Sequence, residues 1–114
     1  MNWVKIFLIK PLSIKMLVIG FKKKEETPLP TISAFYGILI QMFWSDHAPP
    51  HFHALYAEYE VLINIETLEI IKGNMPRRAL ALVLEWASQH RNELMEDWNL
   101  CNKNQHPKKI PPLE

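Results

Sequence analysis

The chain has very little cysteine, little glycine and almost no net charge. Cys101 is the only cysteine in 114 residues, so no intrachain disulfide and no cysteine-based zinc site can form. A lone thiol suits a reducing compartment, and we expect a cytoplasmic protein. The formal charge of +1 provides no basic field of the kind that nucleic-acid-binding and membrane-binding proteins usually carry. With cysteine ligands excluded, the five histidines are the plausible nitrogen ligands for a metal.

A continuous hydrophobic span is also missing, because the apolar run over residues 3–21 is broken by three lysines and a proline, at Lys5, Lys10, Pro11 and Lys15. Each lysine at the centre of a bilayer would cost about 2.5 to 3.5 kcal/mol. No small-x-small cleavage site follows the run. The pattern argues against a membrane span and against export. Its β-branched segments predict two strands that add to a sheet edge, and the alternative is an extension upstream of a natural start nearer Met16.

Composition and punctuation predict one domain. A hydrophobic content of 48% with 22% charged residues is ordinary for a globular chain. Residues 22–30 are charged and then proline-rich, which is typical of a linker. We therefore predict an N-terminal extension and linker over residues 1–28, a single α+β domain over 29–104 and an irregular tail over 105–114.

Hydrophobic patterning predicts about four antiparallel strands in a meander, over residues 37–44, 51–56, 59–65 and 68–71. A turn over residues 46–50, stiffened by Pro49 and Pro50, joins the first two strands. The next hairpin folds at Ala57-Glu58, although neither residue is the asparagine or glycine that a tight turn prefers.

The register of this hairpin divides the side chains between two faces. One face forms the core, with Phe52, Ala54, Tyr56, Tyr59, Val61, Ile63 and Ile65. The other carries His51, His53, Leu55, Glu60, Leu62 and Asn64, so both histidines leave the core. If the preceding turn pairs Trp44 with His51, Ile40 and Met42 join the histidine face. That face would then be too apolar to leave in water, and we expect something to cover it.

The C-terminal half predicts one long amphipathic helix packed on the sheet. Asn74 resembles an N-cap, and Pro76 suits the first turn. Apolar residues then recur at helical spacing, at Leu80, Val83, Leu84, Ala87, Leu94 and Trp98. Trp86 and Trp98 are interpreted as packing residues, with base stacking as the alternative.

The most distinctive stretch is the run Asp46-His47-Ala48-Pro49-Pro50-His51-Phe52-His53-Ala54. Together with Thr31-Ile32-Ser33, Tyr56, Met75-Pro76-Arg77-Arg78, Glu85-Trp86 and Trp98, it resembles a small bacterial family catalogued as domain of unknown function 4160. The resemblance covers residues 29–104, and the Pro-Pro-His-Phe-His core is its specific part. Residues before 29 lie outside the usual domain, and Leu68 stands where the family commonly has a turn glycine.

The resemblance implies a role in a gene pair and no established activity. Such proteins are often encoded beside another small domain, in an arrangement like that of toxin–antitoxin pairs. Our leading hypothesis is therefore a non-enzymatic interaction module. Its expected partner is the protein of the adjacent gene or a second copy of itself, and no cofactor is expected.

A rival hypothesis is a metal-dependent hydrolase or nuclease. His51 and His53 are two residues apart on one strand, so their side chains point the same way, about 6.6 Å apart. They could converge on a divalent metal, with Asp46, His47 or Glu60 as further ligands. Such a metal could activate water, and without metal the same residues could form an acid–base pair.

Two other interpretations of the histidines stay open. In the structural one, they start the strand and hydrogen-bond the Asp46 turn. In the other, they recognise a partner. A basic pair, Arg77 and Arg78, falls in the first turn of the predicted helix, where an anion or partner carboxylate could bind. With the lysines at 22–24, the pair also leaves weak nucleic-acid binding as an alternative.

Overall fold

The computed structural model describes residues 30–114, which form five strands followed by two helices. The elements are β1 (Thr31–Phe35), β2 (Ile38–Gln41), β3 (His51–Tyr56), β4 (Tyr59–Asn64), β5 (Ile70–Gly73), α1 (Arg77–Gln89) and α2 (Arg91–Asn102). The strands form one antiparallel sheet in chain order. The predicted α+β meander is confirmed, with five strands instead of four and two helices instead of one. The two strands predicted within residues 3–21 lie outside the described residues.

The added strand is β1, which precedes the first strand that the pattern predicted. Tyr36 and Gly37 form the turn between β1 and β2, and both have left-handed backbone angles, with φ of 51° and 79°. Gly37, the first residue of the predicted strand 37–44, therefore belongs to the turn. The strand itself is limited to Ile38–Gln41.

The hairpin between β3 and β4 has the predicted register. Tyr56 lies opposite Tyr59, and Phe52 lies opposite Ile63. The turn residue Ala57 has a φ of 53°, the left-handed region that asparagine or glycine would favour. The predicted core face is confirmed by its fully buried members, Phe52, Ala54, Val61 and Ile63.

The predicted pairing between β2 and β3 is wrong by one residue. Gln41 lies opposite His53, and Ile40 lies opposite Ala54. Because side chains alternate along a strand, this shift moves Ile40 and Met42 from the histidine face to the core, where both are buried. In their place, Leu39 and Gln41 lie on the histidine face, opposite Leu55 and His53.

The last hairpin turns later than predicted. Asn64 organises it, since its side-chain oxygen accepts the backbone N–H groups of Glu66 and Thr67. Leu68 has a φ of 61°, the geometry that a glycine would adopt without strain. These residues occupy the turn, so β5 begins at Ile70 and not at Leu68.

His90 divides the predicted long helix into two. Its φ of −131° leaves the helical region, its N–H donates to Ala87 O, and its carbonyl accepts the N–H of Leu94. No proline or glycine marks this break in the sequence. The apolar spacing continues across it, so Val83 on α1 and Leu94 on α2 are both fully buried.

Asn74 is not the N-cap of α1, which is Pro76. The backbone N–H of Asn74 donates to Glu60 O and continues the contact between β5 and β4. Arg77 therefore begins the helix, and no side chain caps it.

Residues 105–114 form no helix or strand, but they pack against the domain. Ile110 is buried and its N–H donates to Ile32 O at 2.8 Å. Trp86 Nε1 donates to Pro111 O, and Asp97 Oδ1 accepts the N–H of Lys108. These contacts bind the tail to β1 and to both helices. Within residues 30–114, neither helix has the length and apolar character needed to cross a membrane.

Candidate metal site

The loop between β2 and β3, residues 42–50, brings Asp46 over the start of β3. Ser45 anchors this loop to the end of α2, because its N–H donates to Cys101 O and its hydroxyl donates to Asn104 Oδ1. At the other end of the loop, Pro50 O accepts the N–H of Ile65. The Ala48–Pro49 peptide bond is cis. The loop is thus fixed on both sides of Asp46.

Asp46, His51 and His53 meet at one carboxylate oxygen. Asp46 Oδ2 lies 3.0 Å from His51 Nε2 and 3.1 Å from His53 Nε2. One donor atom from each of the three residues lies within 4.8 Å of the other two. Strand alternation places the two imidazoles on one face, and the loop supplies the carboxylate between them.

The remaining ring nitrogens are also held by oxygen atoms. His51 Nδ1 donates to Pro49 O at 2.8 Å, and His53 Nδ1 donates to Glu60 Oε2 at 2.9 Å. Carbonyl and carboxylate oxygens only accept, whereas a neutral imidazole has a single N–H. Each ring already has its N–H at Nδ1, so a further proton on Nε2 or a cation must fill the contact between Nε2 and Asp46.

Aromatic rings enclose the pair of imidazoles. The Trp98 ring lies 5.3 Å from His51, and the Phe43 ring meets His53 edge-on at 4.6 Å between centroids. His51 is buried, with 5% of its side chain exposed, although it lies on the face predicted to leave the core. Trp98 of α2 covers His51, a role that the strand pattern could not assign to a particular residue.

Both carboxylates of the site are held ionised. Burial alone would raise the pKa of Asp46, but hydrogen bonds from His51 and His53 outweigh it and hold that pKa well below its usual range. The hydrogen bond from His53 likewise lowers the pKa of Glu60, against the effect of burial. Burial alone would lower the pKa of His53, yet its hydrogen bonds to the two carboxylates raise it. The carboxylates therefore favour a positive charge between them.

The other predicted site residues lie outside the three-residue cluster. His47 is exposed and contributes its backbone N–H, which donates to Asp46 Oδ1 at 2.8 Å. Glu60 supports His53 from the far side of the ring. Arg77 and Arg78 are exposed in the first turn of α1, and their role in anion or partner contact stays a prediction.

Three contributors to the site were not predicted. The Pro49 carbonyl could have been predicted, since it lies two residues before His51 in the predicted turn over residues 46–50. Phe43 and Trp98 carried no such signal, because only the folding of the loop and of α2 brings their rings to the histidines.

The donor types, two imidazole nitrogens and a carboxylate oxygen, suit a transition metal such as Zn²⁺. Four ligands at 2.0 to 2.1 Å in tetrahedral geometry lie about 3.3 Å from one another. The two distances from Asp46 Oδ2, 3.0 and 3.1 Å, are close to that spacing. Metal-bound histidines also commonly donate their other N–H to a carbonyl or carboxylate, as Pro49 and Glu60 allow here. The same hydrogen bonds agree with the structural interpretation, in which protons take the place of the metal.

A family model described as Domain of unknown function (DUF4160) matches residues 37–99, which is more than half of the chain. The matched range contains Asp46, His51, His53 and Glu60. No curated protein and no solved structure matches the chain.

Proposed function

This chain belongs to the DUF4160 family, and we propose that its domain binds a divalent transition-metal ion through Asp46, His51 and His53. The observation that carries the proposal is the orientation of the two imidazoles. Both Nε2 atoms face the same oxygen of Asp46, while both Nδ1 atoms are held by oxygens that can only accept.

A cation satisfies this arrangement better than protons do. Without metal, all four ring contacts can be hydrogen bonds only if each ring has two N–H groups, which would place two cationic rings with centroids 5.2 Å apart. A metal between the Nε2 atoms and Asp46 leaves both imidazoles neutral, and each keeps the N–H that its Nδ1 partner requires. Metal binding therefore removes the repulsion and keeps every hydrogen bond on the Nδ1 side.

The ligand types indicate the class of metal. Imidazole nitrogen suits zinc, copper, iron and nickel, whereas calcium and magnesium prefer sites made entirely of oxygen. Two nitrogens and one carboxylate oxygen therefore favour a transition metal. Zn²⁺ is a suitable probe because its redox state does not change.

The proposal is tested by titrating the metal-free full chain with Zn²⁺ in a calorimeter. We expect binding of one ion per chain and a loss of affinity of more than 10-fold in His51→Ala and in His53→Ala. His106→Ala is the matched control for surface histidines, since His106 is exposed and lies beside Trp44, away from the three ligands. The control should bind Zn²⁺ like the unchanged protein.

Thermal unfolding gives an independent measurement. An ion that binds only the folded chain stabilises it by about 2.7 kcal/mol when its free concentration is 100 times the Kd. We expect Zn²⁺ to raise the melting temperature of the unchanged protein and of His106→Ala, but not of His53→Ala. A folded chain that takes up no Zn²⁺ would overturn the proposal.

Recognition of a partner protein is a second candidate function. Leu39, Phe43 and Trp44 remain 42%, 38% and 46% exposed, and Phe43 touches the site through His53. Exposed apolar side chains of this size are common where a partner binds. Co-expression with the product of the adjacent gene should yield a complex that Trp44→Ser weakens, and recovery of the two proteins separately would count against it.

A further inference from the structure

We propose that the metal held by Asp46, His51 and His53 keeps one coordination position for an exchangeable ligand, a small Lewis base such as hydroxide, azide or a carboxylate. This inference rests on the proposed function, because it describes the ligand that the bound metal would take. It goes further by assigning the site to the open class of metal sites.

The number of protein donors carries the argument. Among residues 30–114, only these three histidine and acidic side chains form a group with converging donor atoms. Structural zinc sites are closed by four protein ligands, whereas catalytic zinc sites have three and bind water or substrate at the fourth position. A three-residue site thus leaves one position of a tetrahedral ion for an external ligand.

The nearest polar groups are already engaged elsewhere. Asp46 Oδ1 accepts the N–H of His47, so Asp46 offers one oxygen to the ion. The Glu60 carboxylate is bonded to Nδ1 of His53, on the ring edge away from the metal position. It could not bind the same ion without releasing His53.

Cys101 is also an unsuitable fourth ligand. It is fully buried, and burial together with the nearby Asp97 and Asp46 charges raises the pKa of its thiol to about 11. Its sulfur also does not belong to the group of converging donor atoms, so it supplies no ligand at this position. Within residues 30–114, the position is therefore left to a molecule from solution.

Solvent reaches the cluster from one side. The exposed fractions of the side chains are 5% for His51, 12% for His53 and 22% for Asp46, and Glu60 beside them is 50% exposed. Trp98 covers the His51 side. An external ligand would accordingly approach past Asp46 and Glu60.

Charge determines the class of ligand. A divalent ion with one carboxylate and two neutral imidazoles has a net charge of +1, which favours a monovalent anion. Water bound in such a position loses a proton more readily than bulk water. An open position is therefore what the hydrolase hypothesis requires, and a purely structural zinc site would lack it.

The test uses the full chain loaded with Co²⁺, which replaces Zn²⁺ and has a visible absorption spectrum that responds to its ligands. Azide is titrated into the Co²⁺-loaded protein while the spectrum is recorded. We expect a saturable spectral change with a single affinity. A Co²⁺ spectrum that azide leaves unchanged would overturn the open position.

His47→Ala distinguishes an open position from one that His47 closes in solution. If the position is open, the variant and the unchanged protein bind azide with the same affinity. Azide binding that appears only in His47→Ala would mean that His47 is the fourth ligand, and the inference would be wrong. A chain that gives no Co²⁺ absorption at all would instead refute the metal site itself, so the two failures are distinguishable.

Discussion

His53 Nδ1 and Glu60 Oε2 lie 2.9 Å apart across two neighbouring strands. His53 is paired with Leu62 in the register of the sheet, so Glu60 reaches it diagonally. Because the carboxylate accepts the Nδ1–H, the other nitrogen of His53 is directed at Asp46. Glu60 thereby acts as a positioning residue for a metal ligand.

Removing the Glu60 carboxylate should weaken metal binding without removing a ligand. We expect Glu60→Leu to lower the Zn²⁺ affinity by about 10- to 100-fold, the usual effect of losing such a supporting contact. Glu60→Gln should lower the Zn²⁺ affinity less, since its amide oxygen can still accept the Nδ1–H of His53. Calorimetry on both variants measures the difference, and equal affinities in Glu60→Leu and the unchanged protein would contradict this role.

Asp97 should make stability depend on pH in the mildly acidic range. Burial raises its pKa to about 6, and its Oδ2 atom has no hydrogen-bond partner within the described residues. The folded chain therefore holds this proton more tightly than the unfolded chain, and stability falls as the pH rises from about 4 to about 6. The full effect corresponds to about 3 kcal/mol, from a shift of roughly two pKa units.

Asp97→Asn isolates this contribution. The amide retains an oxygen that can accept the Lys108 N–H, and it cannot ionise. In urea unfolding, the variant should gain stability relative to the unchanged protein as the pH is raised through that range. A difference that does not vary with pH would exclude Asp97 as the cause.

Replacing Ala57 with glycine should stabilise the turn between β3 and β4. Its φ of 53° is unfavourable for an L-residue with a side chain, by about 1 to 2 kcal/mol, and glycine adopts this geometry freely. We expect Ala57→Gly to stabilise the domain by up to about 1 kcal/mol after the greater flexibility of the unfolded chain is deducted. Glu58→Gly, one position later, is the control and should be destabilising. Chemical denaturation measures both changes in unfolding free energy, and changes of the same sign in the two variants would contradict this prediction.

Gly73 should not tolerate any side chain. It has a φ of 87°, and a Cβ atom there would lie 2.2 Å from the Glu60 carbonyl oxygen, in the backbone of the adjacent strand. Gly73→Ala must displace β5 from β4, and we expect a loss of more than about 2 kcal/mol. Gly37→Ala is a useful comparison. It shares the positive φ, but its Cβ would meet only the Tyr56 ring at 3.5 Å, so its loss should be smaller. Equal losses would show that backbone strain alone is responsible.

Local patterning was sufficient for the elements whose pairing is local. Alternation along Phe52 to Ile63 predicted the register of the β3–β4 hairpin and its core face, because neighbouring strands joined by a short turn have few ways to align. Helical spacing predicted the burial of Val83, Ala87, Leu94 and Trp98, whereas Leu80 and Leu84 are only partly buried. It did not predict the break at His90, where no helix-breaking residue occurs.

Local patterning did not predict how strands pair across a longer connection. The loop over residues 42–50 can align β2 with β3 in more than one register, and a shift of one residue moved Ile40 and Met42 to the opposite face. β1 is short, and its pattern alone did not distinguish it from the preceding linker.

For the site, the sequence by itself determined that His51 and His53 share a face, since side chains two apart on a strand point the same way. It also placed Asp46 in the turn before them. Only the tertiary structure decided that Asp46 Oδ2 lies between the two imidazoles, that Glu60 supports His53, and that Trp98 covers His51. These contacts join residues on the loop, two strands and a helix, and their distances depend on packing between elements, which strand alternation does not specify.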